Sequence, residues 1–394
     1  MVGGGVGTVA GVQPVTPDSV TIDDLDRAHH ETLAALRSLR PVVWVPAIGG
    51  WVVLTREAAT QVMRDASTFT VDDPRFSTAQ VVGPSMLSLD GDEHDRHRAP
   101  FAAGMRPSVS GPRLAARVDE VVRDIVDAIA PNAVAEMRRE VAGPVAVGVV
   151  AAALGLDAVE PATLLGWYDA IVAGVDTVSR GGQIGDETRV AVDELGGCID
   201  RAAHEPGTLA CAAAAELSAA ETRSNAAVFM FGGIETSEGM TTSALRHVLT
   251  TPGAVDTLRA DPALVDDAVE ESLRLEPAAA RVDRYATCDV SLGGSNIERG
   301  DLVVVSLAAA NRDPVAYEDP DRFVLGRSNA RTHVAFAQGP HACVGAQLAR
   351  METRAVLRAV LERLPEIRVR DAPDARGTVF RKPPVLWVEW DRER

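Results

Sequence analysis

The stretch "AFAQGPHACVGAQLAR", Ala335–Arg350, holds Phe336-x-x-Gly339-x-x-x-Cys343-x-Gly345. It carries one of only four cysteines in 394 residues. Two readings compete. A lone cysteine in apolar company is commonly buried and inert. The helix-forming run after Cys343 predicts a helix to about Arg363, which puts the sulfur at a helix start. There, unpaired N–H groups and the helix dipole favour a thiolate. His341 and Arg350 add cationic donors, and Phe336 can shield the sulfur. Gly339 and Gly345 remove side chains on either side, so a large flat group could approach the backbone.

Composition narrows the rest. Hydrophobic residues make up 46%, enough for a large core, and the formal net charge is −17. That charge repels nucleic acid and anionic membrane surfaces, and it also serves plain solubility. Cys198, Cys211, Cys288 and Cys343 form no CxxC, so neither a disulfide framework nor a zinc site is expected. A reducing cytoplasm fits this usage. No secretory segment is read at the N-terminus. The longest uncharged apolar stretch, Val141–Leu156, contains Pro144; it falls short of the roughly 20 residues a bilayer span needs and reads as a buried helix. Lys382 is the only lysine, which leaves almost no place for Schiff-base or P-loop chemistry.

Along the chain, residues 1–20 read as a loose tail and 21–394 as one domain. "GVGTVA" (Gly5–Ala10) matches a dinucleotide fingerprint but has no room for a preceding strand. Val42–Thr55 reads as a β-hairpin around Gly49-Gly50. Thr55 should cap a helix from Arg56 to about Asp65. Residues 70–90 read as irregular, 92–290 as mostly helical, and 289–314 as short strands and turns. Residues 311–335 read as coil, and Val385–Trp390 as a strand. Ser218-Ala-Ala-Glu221 is a capping box that opens a long helix. The expected fold is mainly α with a minor β part.

A stabilised thiolate facing a flat space suits a haem iron, because thiolate ligation pushes electron density onto the metal. The Phe336–Gly345 segment resembles the haem-binding signature of the cytochrome P450 family, with Ala337 where members usually carry Gly. Other stretches resemble the family in order. Gly232-Gly-Ile-Glu235-Thr236-Ser237 resembles the oxygen-binding part of its central helix. Adjacent glycines cost that helix roughly 1 kcal/mol each, and a hydroxyl can open it locally. Glu271-x-x-Arg274 and Pro320-Asp-Arg322-Phe323 resemble the family's Glu-Arg pair and the arginine that joins it. Taken alone, the pair is an ordinary surface ion pair.

The resemblance implies a single-domain P450 fold with haem b between the central helix and the cysteine-loop helix. Cys343 would be the iron ligand, and O2 the co-substrate. Phe336, Gly339, Gly345 and Gly232 would line the cofactor, and His94, Arg98, Arg284 and His341 would hold its propionates. Glu235 and Thr236 would relay protons. Met86, Leu87, Phe229, Ala279, Val282, Val379 and Phe380 would face an apolar substrate such as a terpenoid, steroid or polyketide. His97 and His333 are weaker candidates for holding the propionates and read more as surface or structural residues.

The implied activity is monooxygenation, by hydroxylation or epoxidation. Electrons would come from an external ferredoxin and its reductase, with no membrane and no nucleic acid involved. Arg96, Arg98, Arg106, Arg113, Arg117, Arg350 and Arg354 are the basic residues that would steer an acidic ferredoxin, unless they only solvate helix surfaces. Two other readings stay open: a peroxide-driven haem-thiolate enzyme, and a non-enzymatic haem sensor or scaffold.

Overall fold

The computed structural model describes residues 15–392 apart from Pro107 and Ser110. The fingerprint at Gly5–Ala10 and most of the expected tail lie outside them. Within 15–20, Pro17–Ser19 forms a short 3-10 turn and Val20 is buried.

A 32-residue helix, Ala219–Thr250, runs through the middle of the protein. It starts where the capping box predicts: the Ser218 hydroxyl accepts from the Glu221 N–H, and the Glu221 carboxylate accepts from the Ser218 N–H at 2.9 Å. Most of its middle is buried, so tertiary packing rather than propensity holds its glycines in helix. Gly233 is needed for that packing, since a Cβ there would lie 2.7 Å from Val150 Cγ2. Val150 belongs to the apolar helix Gly143–Leu154, entered through a π-turn, Arg138–Ala142. Helices Gly111–Ile129 and Ala346–Arg363 join the same apolar core.

The predicted hairpin is present as Val42–Val45 and Gly50–Val53, with Val42 opposite Val53. It edges a five-stranded sheet in the order Val42–Val45, Gly50–Val53, Leu302–Ser306, Arg281–Ala286, Phe69–Thr70. Thr55 occupies the cap position of Arg56–Arg64, but its side chain makes no capping bond; the Arg56 N–H goes to Asp313 Oδ2 at 2.9 Å. Residues 70–90 are more regular than expected, with a helix at Ser77–Val82. Strands Val134–Glu136 and Arg281–Ala286 interrupt the stretch read as helical. Val134–Glu136 pairs with Trp387–Glu389: a strand three residues long has too few residues to display a period. No helix among the described residues is long and apolar enough to cross a membrane.

Candidate haem site and its surroundings

Cys343 sits three residues ahead of the helix Ala346–Arg363, in a loop closed by its own N–H bonding the Phe336 carbonyl at 2.8 Å. Two residues of this loop take left-handed backbone, Ala337 at φ 56° and Gly339 at φ 74°. A Cβ on Gly339 would also clash with the Met63 carbonyl. Its glycine therefore serves the packing of the loop on the helix Arg56–Arg64. A Cβ on Gly345 would lie 4.0 Å from the sulfur. Burial pushes the Cys343 thiol up, opposed by the N–H groups of Gly345 and Ala346 and by Arg98 and Arg350. Yet Cys343 carries free surface. The thiol is thus closely surrounded by protein atoms without the residue being fully covered. Arg350 also lies 4.5 Å over the Phe336 ring and bonds Glu270 at 2.6 Å.

The four expected propionate contacts come together. The His94 and His341 rings lie 4.3 Å apart. Arg98 donates to the Ala342 carbonyl at 2.5 Å. Arg284 donates to the Asp283 carbonyl at 2.8 Å, with its charge almost wholly desolvated. His94 Nε2 is buried with no partner. Burial holds Arg98, Arg284 and His94 below their usual values. Asp95 lies 3.1 Å from His94 Nδ1, whereas Arg98 and Arg284 bond carbonyl oxygens; desolvated cations held in that way are costly, and with His94 Nε2 they fit an anion. Asp90, missed in the sequence, holds His341 Nε2 at 2.7 Å. Burial resists its ionisation, but bonds from His341, the Thr70 hydroxyl and the Val71 N–H outweigh that and hold it at about 2.

On the central helix, the Thr236 hydroxyl donates to the Gly232 carbonyl at 2.5 Å. Gly232 is exposed between the partly buried Phe231 and Gly233, and a Cβ there would meet nothing within 4 Å. Glu235 does not touch Thr236; its carboxylate is held by the Tyr168 hydroxyl and by Lys382 Nζ, the latter at 2.9 Å. Of the expected pocket residues, Met86 and Phe229 are buried, and Leu87, Ala279, Val282 and Phe380 are partly so. Val379 is exposed. Ala279 and Phe380 form a bridge, and Phe380 packs edge-on to Phe231 at 5.8 Å. Met86 is fixed by its N–H to Asn225 Oδ1 at 2.8 Å.

One expectation is corrected. Glu271 and Arg274 form a wholly buried pair at 2.8 Å, and the arginine that joins them is Arg327, 2.9 Å from Glu271. Arg322 turns its carbonyl inward, to Arg274 Nη2 at 3.0 Å, which leaves its side chain outside beside Asp319. His97 and His333 are buried and structural, bonded to Asn225 at 2.9 Å and Glu270 at 3.1 Å. The basic residues divide: Arg96 is taken by Glu93 and Glu221, Arg117 by Glu120 and Asp157, and Arg98 points inward. Arg331, Arg350 and Arg354 line an open cleft of about 290 Å³ and are themselves paired with acids, Arg331 with Asp267 and Glu270, Arg350 with Glu270 and Arg354 with Asp266.

A helical fold with a desolvated thiol, anion-seeking donors and a glycine opening in its central helix defines a protein built around a large anionic prosthetic group. Residues 209–375 match the family model Cytochrome P450. The chain is 30% identical over 395 residues to the cytochrome P450 monooxygenase PikC of Streptomyces venezuelae, covering 93% of this chain and 92% of that one. It is 32% identical over 344 residues to vitamin D3 dihydroxylase of Streptomyces griseolus, covering 81% of each. The structure of CalO2 superposes with a TM-score of 0.85 at 28% identity, covering 98% of this chain and all of that one. The chain belongs to the cytochrome P450 family. It is a haem monooxygenase, with cysteine-ligated haem as cofactor and O2 as co-substrate.

Proposed function

We propose that Cys343 is the iron ligand and that His94, Arg98, Arg284 and His341 hold the propionates. Phe336, Gly339 and Gly345 shape the loop beneath the ring, and Gly232 leaves room above it. The observation that carries this reading is the group of desolvated donors, Arg98, Arg284 and His94 Nε2, beside the Cys343 thiol. Haem held there would supply the activation of O2: with two electrons and two protons, one oxygen atom would enter the substrate and the other leave as water. The chain's own residues do the rest. Gly345 and Ala346 direct N–H groups at the sulfur and favour its thiolate. Glu235 and Thr236 hold and pass protons beside the Gly232 opening. Met86, Leu87, Phe229, Ala279, Val282, Val379 and Phe380 orient the substrate and exclude water. Their apolar character supports a substrate with a large hydrocarbon surface, hydroxylated or epoxidised, and the name of the Streptomyces griseolus relative supports a steroid-like one. Terpenoids and polyketides share that chemistry.

Electrons come from an acidic ferredoxin and its reductase, docked on the face where Arg331, Arg350 and Arg354 line the cleft beside the cysteine loop. The test starts with a panel of steroids, terpenoids and macrolactones, scored by the shift each causes in the haem spectrum. Binders are then incubated under 18O2 with NADPH, ferredoxin and reductase. One 18O atom per product molecule is expected. Product formed with hydrogen peroxide but not with the electron-transfer partners supports the peroxide-driven reading. No binder at all would support a sensor or scaffold.

A further inference from the structure

The only lysine of the chain is spent at one place. Lys382 Nζ lies 2.9 Å from Glu235 Oε1 and 2.5 Å from Glu238 Oε2. It gets there because Gly239 lets the strand-like segment cross the central helix: a Cβ on Gly239 would lie 3.2 Å from the Arg381 carbonyl and 3.3 Å from Lys382 Cβ. Backbone bonds between Arg376 and Lys382, at 3.0 and 3.1 Å, fix the segment from its other side. Arg138 ties the far side, reaching Glu238 Oε1 at 2.9 Å and the Pro384 carbonyl at 3.0 Å.

Both oxygens of Glu235 are engaged. Oε1 is on Lys382, and Oε2 accepts from the Tyr168 hydroxyl. Burial, with Glu235, Glu238 and Asp169 nearby, pushes the Tyr168 phenol up, so it stays a donor. Thr236 is likewise turned to Gly232. The carboxylate and the hydroxyl of the relay are therefore apart in this state. We infer that Lys382 is a positioning residue that parks Glu235 away from Thr236 and, when Glu235 leaves, remains charge-paired through Glu238. This rests on the reading of Glu235 and Thr236 as the proton relay. Two acids sharing one cation make the exchange cheap: release of Glu235 strands no buried ammonium, because Glu238 and its partner Arg138 stay in place. The groups facing Glu235 are Tyr168 from the helix Pro161–Ser179, Glu238 from its own helix and Lys382 from the C-terminal segment, with Arg138 behind Glu238.

A sole lysine makes the test direct. Reductive methylation with 13C-formaldehyde labels Lys382 and the N-terminal amine alone in the haem-loaded protein, and Lys382→Arg assigns the signal. The Lys382 methyl resonance should move in both Glu235→Gln and Glu238→Gln; no movement in either overturns the inference. The second readout is the share of NADPH electrons released as hydrogen peroxide, followed against pH. Losing the cation that holds Glu235, in Lys382→Met, should change that profile, while Lys382→Arg keeps the wild-type profile. If Glu235→Gln raises peroxide release but Lys382→Met leaves the profile in place, this inference falls and the relay reading stands. If Glu235→Gln changes nothing at any pH, both fall.

Discussion

The buried acid at Glu271 offers the sharpest energetic test. Its carboxylate is fully enclosed and accepts four bonds: from Arg274 Nε at 2.8 Å, Arg274 Nη2 at 2.9 Å, Arg327 Nε at 2.9 Å and the Val324 N–H at 3.0 Å. Glu271→Gln keeps the shape but removes the charge. Arg274, itself without exposed side-chain surface, then holds an uncompensated cation. Breaking a buried pair by losing one partner costs about 3–5 kcal/mol. Arg327→Ala removes one charged bond to Glu271 and the donors to the carbonyls of Glu318, Asp319 and Arg322. A cost of about 2–3 kcal/mol follows. Arg322→Ala removes a side chain that is 76% exposed and 3.5 Å from Asp319. Such exposed pairs contribute about 0–1 kcal/mol. Urea titration of the haem-loaded protein, followed by circular dichroism and haem absorbance, should rank the losses Glu271→Gln, Arg327→Ala, Arg322→Ala. If Arg322→Ala costs as much as Arg327→Ala, the assignment of the third member is wrong. If Glu271→Gln costs under about 1 kcal/mol, the desolvation argument itself fails.

Three further outcomes are expected. Ala337→Gly relieves a left-handed alanine at φ 56° and should stabilise the protein by about 0.5–1 kcal/mol in the same urea titration; a loss would mean that the methyl group's packing outweighs the strain. Glu352 is buried on the cysteine helix, and burial raises its carboxyl well above 4.5, against a bond with Ser237. The native state therefore binds a proton that the unfolded chain releases, so its contribution to stability is full below about pH 4.5 and lost as pH rises. Glu352→Gln should accordingly gain on wild type between pH 5 and pH 8, and a constant difference across that range would refute the shift. Arg284→Leu and His94→Ala should each lower the haem-to-protein ratio after purification and speed transfer of haem to apomyoglobin, while the apoprotein of Arg284→Leu should be no less stable than wild type, since a desolvated cation is gone.

Much of the site could be read from residue types at fixed spacing. The capping box at Ser218 and Glu221 is local chemistry, and it sets the start of the central helix as expected. The cysteine loop is likewise contiguous, so its pattern survives in the sequence. What escaped depends on contacts between distant segments. Arg327 meets Glu271 across 56 residues, and nothing local separates it from Arg322, which stands in the expected motif. Tyr168 and Lys382 reach Glu235 from elements 67 residues before it and at the C-terminal end; an apolar helix with one tyrosine gives no sign of its partner. Only the rarity of lysine in this chain could have drawn attention to Lys382. Gly339 carries a second requirement that the sequence does not separate, because a close approach to Met63 and a positive φ leave the same trace as room for a ligand.

The central claim is that Cys343 binds haem iron as a thiolate. The most direct measurement is the absorption spectrum of the reduced, carbon monoxide-bound protein, taken on fresh and undenatured material alongside Cys343→His. Wild type should show a strongly red-shifted Soret band, and the variant should lose it while still holding haem. A wild-type band at the position typical of histidine or neutral thiol ligation would contradict the account.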